Sequence, residues 1–375
     1  GTWYDPARSA LAHGIDGRND GEVAEELLWL LGDSIRLRLR ADVPIGICLS
    51  GGLDSSLLLS LVRRQLGERC NLATFTFVTG DPAYDETPWV LAMLEATEHP
   101  AHFCELRAEQ VPDLADRVAW YQDEPFGGFP TLGMAAVHQS ASRHGIVVLL
   151  DGNGLDEAWA GYDYYARAET VDPTRGPVQG ARSGSTRADC LRPEFAALCE
   201  DVSLSRPFSD PLADLQVRDL RQAKIPRAMR FADRVSMMFS RELREPFLDH
   251  RIVELGLRQP RRRKIHEGQG KWLPRQVARS ILPHGVREAP KRPVQTPQRE
   301  WLTGPLAGWA RDQIEAALSG PAQSWLDPAR TRLAREEMLQ PARPLDNSFP
   351  LWQWISLGLV LNSRSRERPI SDASR

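Results

Sequence analysis

The chain has 375 residues, 42% of them hydrophobic and 26% charged, and a formal net charge of −3. This is ordinary globular composition, so disordered and fibrous classes are excluded, and the length suits one large or two moderate domains. The slightly acidic balance gives no global field for nucleic acid. No apolar run reaches the roughly 18–20 residues of a membrane span, and the start carries no basic-then-apolar leader, so a cytoplasmic protein is expected. The five cysteines (Cys48, Cys70, Cys104, Cys190, Cys199) are odd in number and form no Cys-x-x-Cys pair. That argues against a disulfide framework and a zinc site.

In chain order, Gly1–Gly21 is rich in Gly, Asp and Arg and reads as a linker. Glu22 to about Leu39 reads as an amphipathic helix with Leu28, Leu31 and Ile35 on one face. Asp42-Val43-Pro44 breaks it. Ile45–Leu49 is a short apolar run expected to be a buried strand, and a glycine pair separates it from a helical pattern over Ser55–Gln65. Leu72–Val78 and Ile146–Leu150 are further strands, with helical patterns near Pro88–Thr97 and Leu132–Arg143. Strands alternating with helices imply an α/β fold, a doubly wound parallel sheet with right-handed crossovers. Pro173–Ala188 is heavy in Gly, Ser, Arg and Pro and reads as a mobile surface loop. After Pro211 the chain reads as helical. Gln259–Pro297 is expected to be loop-rich, and Arg261-Arg262-Arg263-Lys264 within it reads as a solvated turn. Trp309 and the apolar run Leu351–Leu361 suggest helices closing the C-terminus. No internal repeat is evident.

The strongest local signal is Ile45-Gly46-Ile47-Cys48-Leu49-Ser50-Gly51-Gly52-Leu53-Asp54-Ser55-Ser56. It combines a strand, a glycine turn and a helix start. Gly51 and Gly52 let the backbone approach an anion, and the free amides and dipole of the Ser55 helix favour its charge. Ser50, Ser55 and Ser56 add hydroxyls. A carboxylate beside bound phosphates is repulsive unless a cation lies between them, so Asp54 implies Mg²⁺. A Walker-type loop does not fit: the only Gly-Lys pair is Gly270-Lys271, with Ile at position 265 and Trp272 following.

Ser50–Ser56 resembles the signature of ATP pyrophosphatases of the asparagine synthetase type, whose loop holds the pyrophosphate leaving group while AMP joins a carboxylate. The resemblance runs in order from about Glu22 to Trp301, and more weakly to Leu361. It implies an adenine-nucleotide-hydrolase-like synthetase domain over 22–366 (with 306–366 a helical closing segment and 367–375 a tail). Leu49–Ser56, Thr74, Phe75, Thr76 and Gly152 are expected to bind ATP, the Thr74–Phe77 strand meeting adenine with its backbone. Asp85 is expected to cap a helix at Thr87. Asp151-Gly152-Asn153-Gly154-Leu155-Asp156-Glu157 is similar to a family turn, with Leu155 where relatives carry a small residue. Its Asp156 is expected to share Mg²⁺ with Asp54.

Further segments extend the resemblance. Asp123-Glu124-Pro125-Phe126 implies that Glu124 lies near the acceptor and ammonia path; by its chemistry alone it is a solvated turn. Arg230–Met237 and Glu242–Asp249 are the most extended match. Without the resemblance they read as a helix with alternating ion pairs, and Arg234 and Asp249 are expected to brace the site. Glu242 matches a residue that assists deprotonation of the attacking amine in β-lactam-forming relatives. Lys271, in Lys271-Trp272-Leu273-Pro274-Arg275, is expected near ATP. Lys291 matches the family's active-site lysine, a fixed cation for the pentacoordinate phosphorus. Pro293-Val294 replaces the usual Gly-Phe after it, which points to an acceptor other than aspartate.

Gly1–Pro6 resembles only the strand and linker at which a glutaminase domain ends, and the first cysteine, Cys48, lies in the phosphate-loop strand. The chain is therefore expected not to hydrolyse glutamine. Its nitrogen comes from a glutaminase in trans or in a missing N-terminal domain, from free ammonia, or from the substrate's own amine. ATP and Mg²⁺ are the expected cofactors and a small-molecule carboxylate the expected substrate. Nucleic-acid and membrane partners are not expected, and a homodimer stays open. The rivals are a tailoring amidotransferase or cyclase of the same chemistry (acting on a polysaccharide sugar acid, a β-lactam or a peptide ring) and, in another class, a scaffold that has lost catalysis.

Overall fold

A computed structural model of the chain describes residues 3–67, 72–171, 186–200, 206–289, 296–340 and 347–363. At its centre is a five-stranded parallel sheet: β1 (Ile45–Cys48), β2 (Ala73–Val78), β3 (Ala101–Glu105), β4 (Val148–Leu150) and β5 (Glu242–Arg244), in the spatial order β3-β2-β1-β4-β5. The chain starts in the middle, builds outward through β2 and β3, then crosses back to add β4 and β5 on the other side. That reversal leaves a crevice between the C-terminal ends of β1 and β4, where open parallel sheets take ligands.

Alternation along each strand divides the interior in two. Ile45, Ile47, Val148 and Leu150 face a core built with the helices Asp20–Arg38 and Leu53–Leu66. Phe75, Leu149 and, partly buried, Cys48 and Leu243 face the opposite way, towards Val137 and Ala141 of the helix Phe129–Arg143. Beyond it the helices Ala307–Ser319 and Phe349–Ser363 enclose a third cluster around Phe126, Phe129 and Trp352. Among the described residues no helix is long and apolar enough to cross a membrane.

Several expectations need correction. The stretch read as a linker contains the helix Pro6–His13, capped by Asp5, with Ala7 and Ala10 buried in the first core. Its two small apolar residues give too weak a periodicity to detect. β3 and β5 were not anticipated, because as edge strands they are short and mix apolar with polar residues, leaving no continuous apolar run. Glu242–Arg244 is thus strand, while the helix stops at Met238. The basic run 261–264 is not a solvated turn throughout. Arg263 is fully buried on Asp20, Gln259 and backbone carbonyls, and Lys264 donates to Gln216 Oε1 at 2.7 Å. Burial lowers the Lys264 pKa to about 7. The 259–297 region contains short helices and a two-stranded hairpin, 265–266 with 269–270. Pro173–Ala188 lies largely outside the described residues.

Asp249 anchors the sheet edge to the first core. It accepts hydrogen bonds from Arg38 Nη1 (2.9 Å) and Arg251 Nε (3.0 Å) and caps the helix His250–Leu257. Burial pushes its pKa up, but the hydrogen bonds from Arg251 and Arg38 outweigh this and hold it at about 2. A depressed folded-state value means that its stabilisation is complete above the ordinary carboxylate range and lost as pH falls from about 4 towards 2. Asp249→Asn should remove that part of the acid sensitivity. It should lower neutral-pH stability by about 1–3 kcal/mol, less than for a fully buried pair because both arginines reach solvent. Urea denaturation at pH 7, 4 and 3 checks both effects.

Candidate active site

The cleft at the strand ends holds about 720 Å³ and is lined from the loops after β1, β2 and β4 and from the hairpin. Such a volume accommodates a small-molecule or nucleotide ligand. Its floor is the turn after β1. Gly51 has φ 74° and packs so closely on the helix Thr87–Thr97 that a Cβ would lie 2.8 Å from Trp89 Cβ. Gly52 precedes the helix Leu53–Leu66 with no side-chain cap, leaving the first-turn amides to an anion. The hydroxyls brace the turn: Ser50 N donates to Ser55 Oγ at 3.1 Å, and the two serine oxygens lie 3.0 Å apart.

Asp54 opens this helix and Asp156 the short helix Leu155–Ala158 beyond β4. Both carboxylates converge on one cation, the buried ammonium of Lys271: Asp54 Oδ2 and Asp156 Oδ1 each lie 2.6 Å from its Nζ. Lys271 stands in the left-handed region, φ 57°, where the hairpin meets the helix Trp272–Val277. Gly161 makes the convergence sterically feasible, since a Cβ there would fall 1.9 Å from Asp156 Oδ1 and 2.3 Å from Lys271 Cε. The donor set suits a hard divalent cation, and Asp54 and Asp156 are the residues that would hold it. Among the described residues no cluster of three or more His, Cys, Asp or Glu offers an all-protein metal site.

Carboxylates crowd the surroundings. Asp151 is pushed up by burial and by the Asp54 charge, and Glu245 well up by burial and by Asp151. The Asn153 amide ties the two together, donating to Asp151 at 3.2 Å and Glu245 at 3.0 Å. Burial and Asp156 raise Glu157 to about 7, and Tyr162 donates to it at 2.7 Å. Arg275 adds a second cation to the lining.

Of the expected ligand-binding residues, Leu49, Ser50, Gly51, Gly52, Leu53, Asp54, Ser55, Phe75, Gly152, Asp156 and Lys271 line the cleft. Ser56, Thr74 and Thr76 do not. Thr74 Oγ1 donates to Pro100 O and Thr76 Oγ1 to Leu49 O, away from the cleft. Leu155 is buried in the first core. Asp85 does not cap the helix at Thr87; it accepts from the amides of Thr79 (2.7 Å) and Gly80 (3.0 Å) and holds the turn after β2.

Glu124 lies outside the lining, exposed and 2.5 Å from Arg230 Nε. Glu242 is exposed too, and Arg244 at 2.7 Å lowers its pKa, the wrong direction for a base. Arg234 pairs with Asp123 at the surface. Lys291 lies outside the described residues. Sequence reading did not single out Trp89, Met134, His138 and Asp151 as lining residues, and placed Phe77 only in the strand expected to meet adenine with its backbone. The Phe77 and Asp151 signals were present, as strand alternation and adjacency to Gly152.

The asparagine synthase family matches residues 26–362. This chain belongs to that family. Similar proteins include the Mycobacterium tuberculosis protein named as a glutamine-hydrolyzing asparagine synthetase, 27% identical, matching 82% of this chain and 53% of its own length. Asparagine synthetase [glutamine-hydrolyzing] 1 of Bacillus subtilis is 22% identical, over 79% of this chain and 53% of its own. Amidase chry2 of Gibberella zeae is 27% identical over 42% of this chain and 25% of its own. The chain thus spans about half the length of the synthetases it matches.

Lys271→Ala would leave two largely buried carboxylates facing each other without the shared ammonium. It should cost about 3–5 kcal/mol of stability in metal-free buffer, the range for breaking a buried pair on one side, read by denaturant titration.

Proposed function

We propose that this family member forms amide bonds through an acyl-adenylate. The observation that carries this reading is the convergence of Asp54 and Asp156, from separate loops, on one cation position beside an uncapped helix start. A triphosphate fits there with its β and γ phosphates on the amides of the Ser50–Ser55 turn and Lys271 beside them. Mg²⁺, when bound by Asp54 and Asp156, would neutralise phosphate charge and act as a Lewis acid.

An acceptor carboxylate oxygen attacks the α-phosphorus and the bond to the bridging oxygen breaks, releasing pyrophosphate. Lys291 supplies a point charge to the developing negative charge. An amine nitrogen then attacks the acyl carbon, the C–O bond to AMP breaks, and a proton leaves the nitrogen. The acceptor is a small carboxylic acid. The nitrogen is ammonia or an amine, and a glutaminase in the part of the relatives that this chain does not span would be one source. Asp151 and Glu245, held towards their protonated forms, offer proton-handling capacity closer to the cleft than Glu124 or Glu242.

Incubation with ATP, Mg²⁺ and a panel of carboxylic acids plus ammonia should yield AMP and pyrophosphate; ADP and phosphate would refute the mechanism. Asp54→Ala and Lys291→Ala should each lower turnover at least about a thousandfold with the fold retained by circular dichroism. The cation position has its own readout. Millimolar Mg²⁺ should raise the Tm of Lys271→Ala more than that of the wild type, because the divalent ion replaces the missing ammonium.

A further inference from the structure

The short helix Leu155–Ala158, which presents Asp156 to the cation position, is too brief to satisfy its own carbonyls. Trp159 N donates to Leu155 O at 2.9 Å and Gly161 N to Asp156 O at 2.7 Å. Glu157 O and Ala158 O both accept from one side-chain amide, Nε2 of Gln216 on the helix Pro211–Arg221, at 2.8 and 2.7 Å. The helix His250–Leu257 packs tightly against the same turn, where a Cβ on Gly256 would lie 2.6 Å from Ala158 O.

Gln216 is fully buried, and its amide could face either way round. Lys264, buried beside it, selects one. Its Nζ donates to Gln216 Oε1 at 2.7 Å and to Leu257 O at 3.3 Å. An ammonium only donates and a carbonyl only accepts, so the amide oxygen faces Lys264 and the NH₂ faces the helix end. Without Lys264 the amide is free to flip, setting its oxygen against two buried carbonyls that then lack a donor. Neither Gln216 nor Lys264 lines the cleft, so neither touches a ligand there.

We propose that Lys264 and Gln216 act in series as positioning residues for Asp156, tethering the end of its helix so that its carboxylate meets that of Asp54 at one cation. The inference rests on the ATP and Mg²⁺ reading of the cleft and adds residues that set cation affinity from behind it. Asp156 immediately precedes the first tethered carbonyl, so a helix that turns to find new donors carries the Asp156 side chain with it. Asp54 is held separately, on the helix Leu53–Leu66, and does not follow. The basic run 261–264 thereby acquires a role in the site through its last residue, although it stands outside the cleft.

The test measures binding of the Mn²⁺–pyrophosphate complex to the full chain by calorimetry, Mn²⁺ standing in for Mg²⁺. Gln216→Met and Lys264→Met should each weaken binding about tenfold, the usual worth of a partner behind a metal ligand. The double variant should also lose about tenfold, because both residues act through one tether, whereas two unrelated losses of packing would multiply to about a hundredfold. Gln216→Glu keeps a partner for Lys264 but has no N–H for the carbonyls. It should weaken binding about as much, and it stands in if a methionine variant does not fold. Wild-type affinity in both single variants, or a loss of about a hundredfold in the double variant, overturns the tether and leaves the ATP reading intact. If the wild type does not bind the complex, the ATP reading falls and this inference with it.

Discussion

Two aspartates cannot share a largely buried corner without a cation between them. In this protein the cation is the ammonium of Lys271, 217 residues along the chain from Asp54. The requirement shapes the surrounding backbone. Lys271 adopts a left-handed conformation that a lysine avoids unless its surroundings enforce it. Its amide donates to Trp159 O at 3.0 Å, so the hairpin is clamped to the segment that carries Asp156. Gly161 has no side chain because the pair occupies the space one would need. Three separate parts of the chain are thereby fixed relative to one another before any ligand arrives, the pre-organisation that lowers the cost of ordering a site on binding.

The electrostatic character of the cleft follows. Asp54, Asp151, Asp156, Glu157 and Glu245 crowd one end of the sheet, against Lys271 and Arg275 among the described lining residues. A triphosphate entering alone would meet net repulsion. The same groups become favourable when the phosphate arrives with divalent cations, which carry charge to the carboxylates and the anion at once. An acid-rich cleft with a helix start at its floor is suited to a cation–phosphate complex and poorly suited to a bare anion.

The sheet's centre and phosphate turn were legible in the sequence because both rest on local rules. β1 and β4 are short apolar runs, β2 alternates threonine with phenylalanine, and Ser50–Ser56 joins a strand to a helix through glycines. Asp54 was legible from the same turn, and Asp156 from the resemblance of Asp151–Glu157 to a family turn. What was not legible depends on distant partners. The charged 242–244 segment pairs as an edge strand only because β4 lies beside it. Arg263 and Lys264 read as surface until Asp20, Gln259 and Gln216 are brought to them from other elements. His138 sits in an ordinary amphipathic helix, and nothing in its neighbours separates a core histidine from one that faces a cleft.

The positions of the chemical groups reflect a constraint on parallel sheets. Strands buried on both faces admit few polar side chains, so chemistry begins where the ladder ends. Ser50 follows β1, Thr79 follows β2, Asp151 follows β4 and Glu245 follows β5, all at the same edge. Because the last strand residues still alternate, the two sheet faces contribute different parts of the cleft lining. The helix Leu53–Leu66 brings its amides from one face. Phe75 and Phe77 present rings to the other, against the helix that carries His138. A ligand in the gap between β1 and β4 would meet side chains from both faces of the sheet.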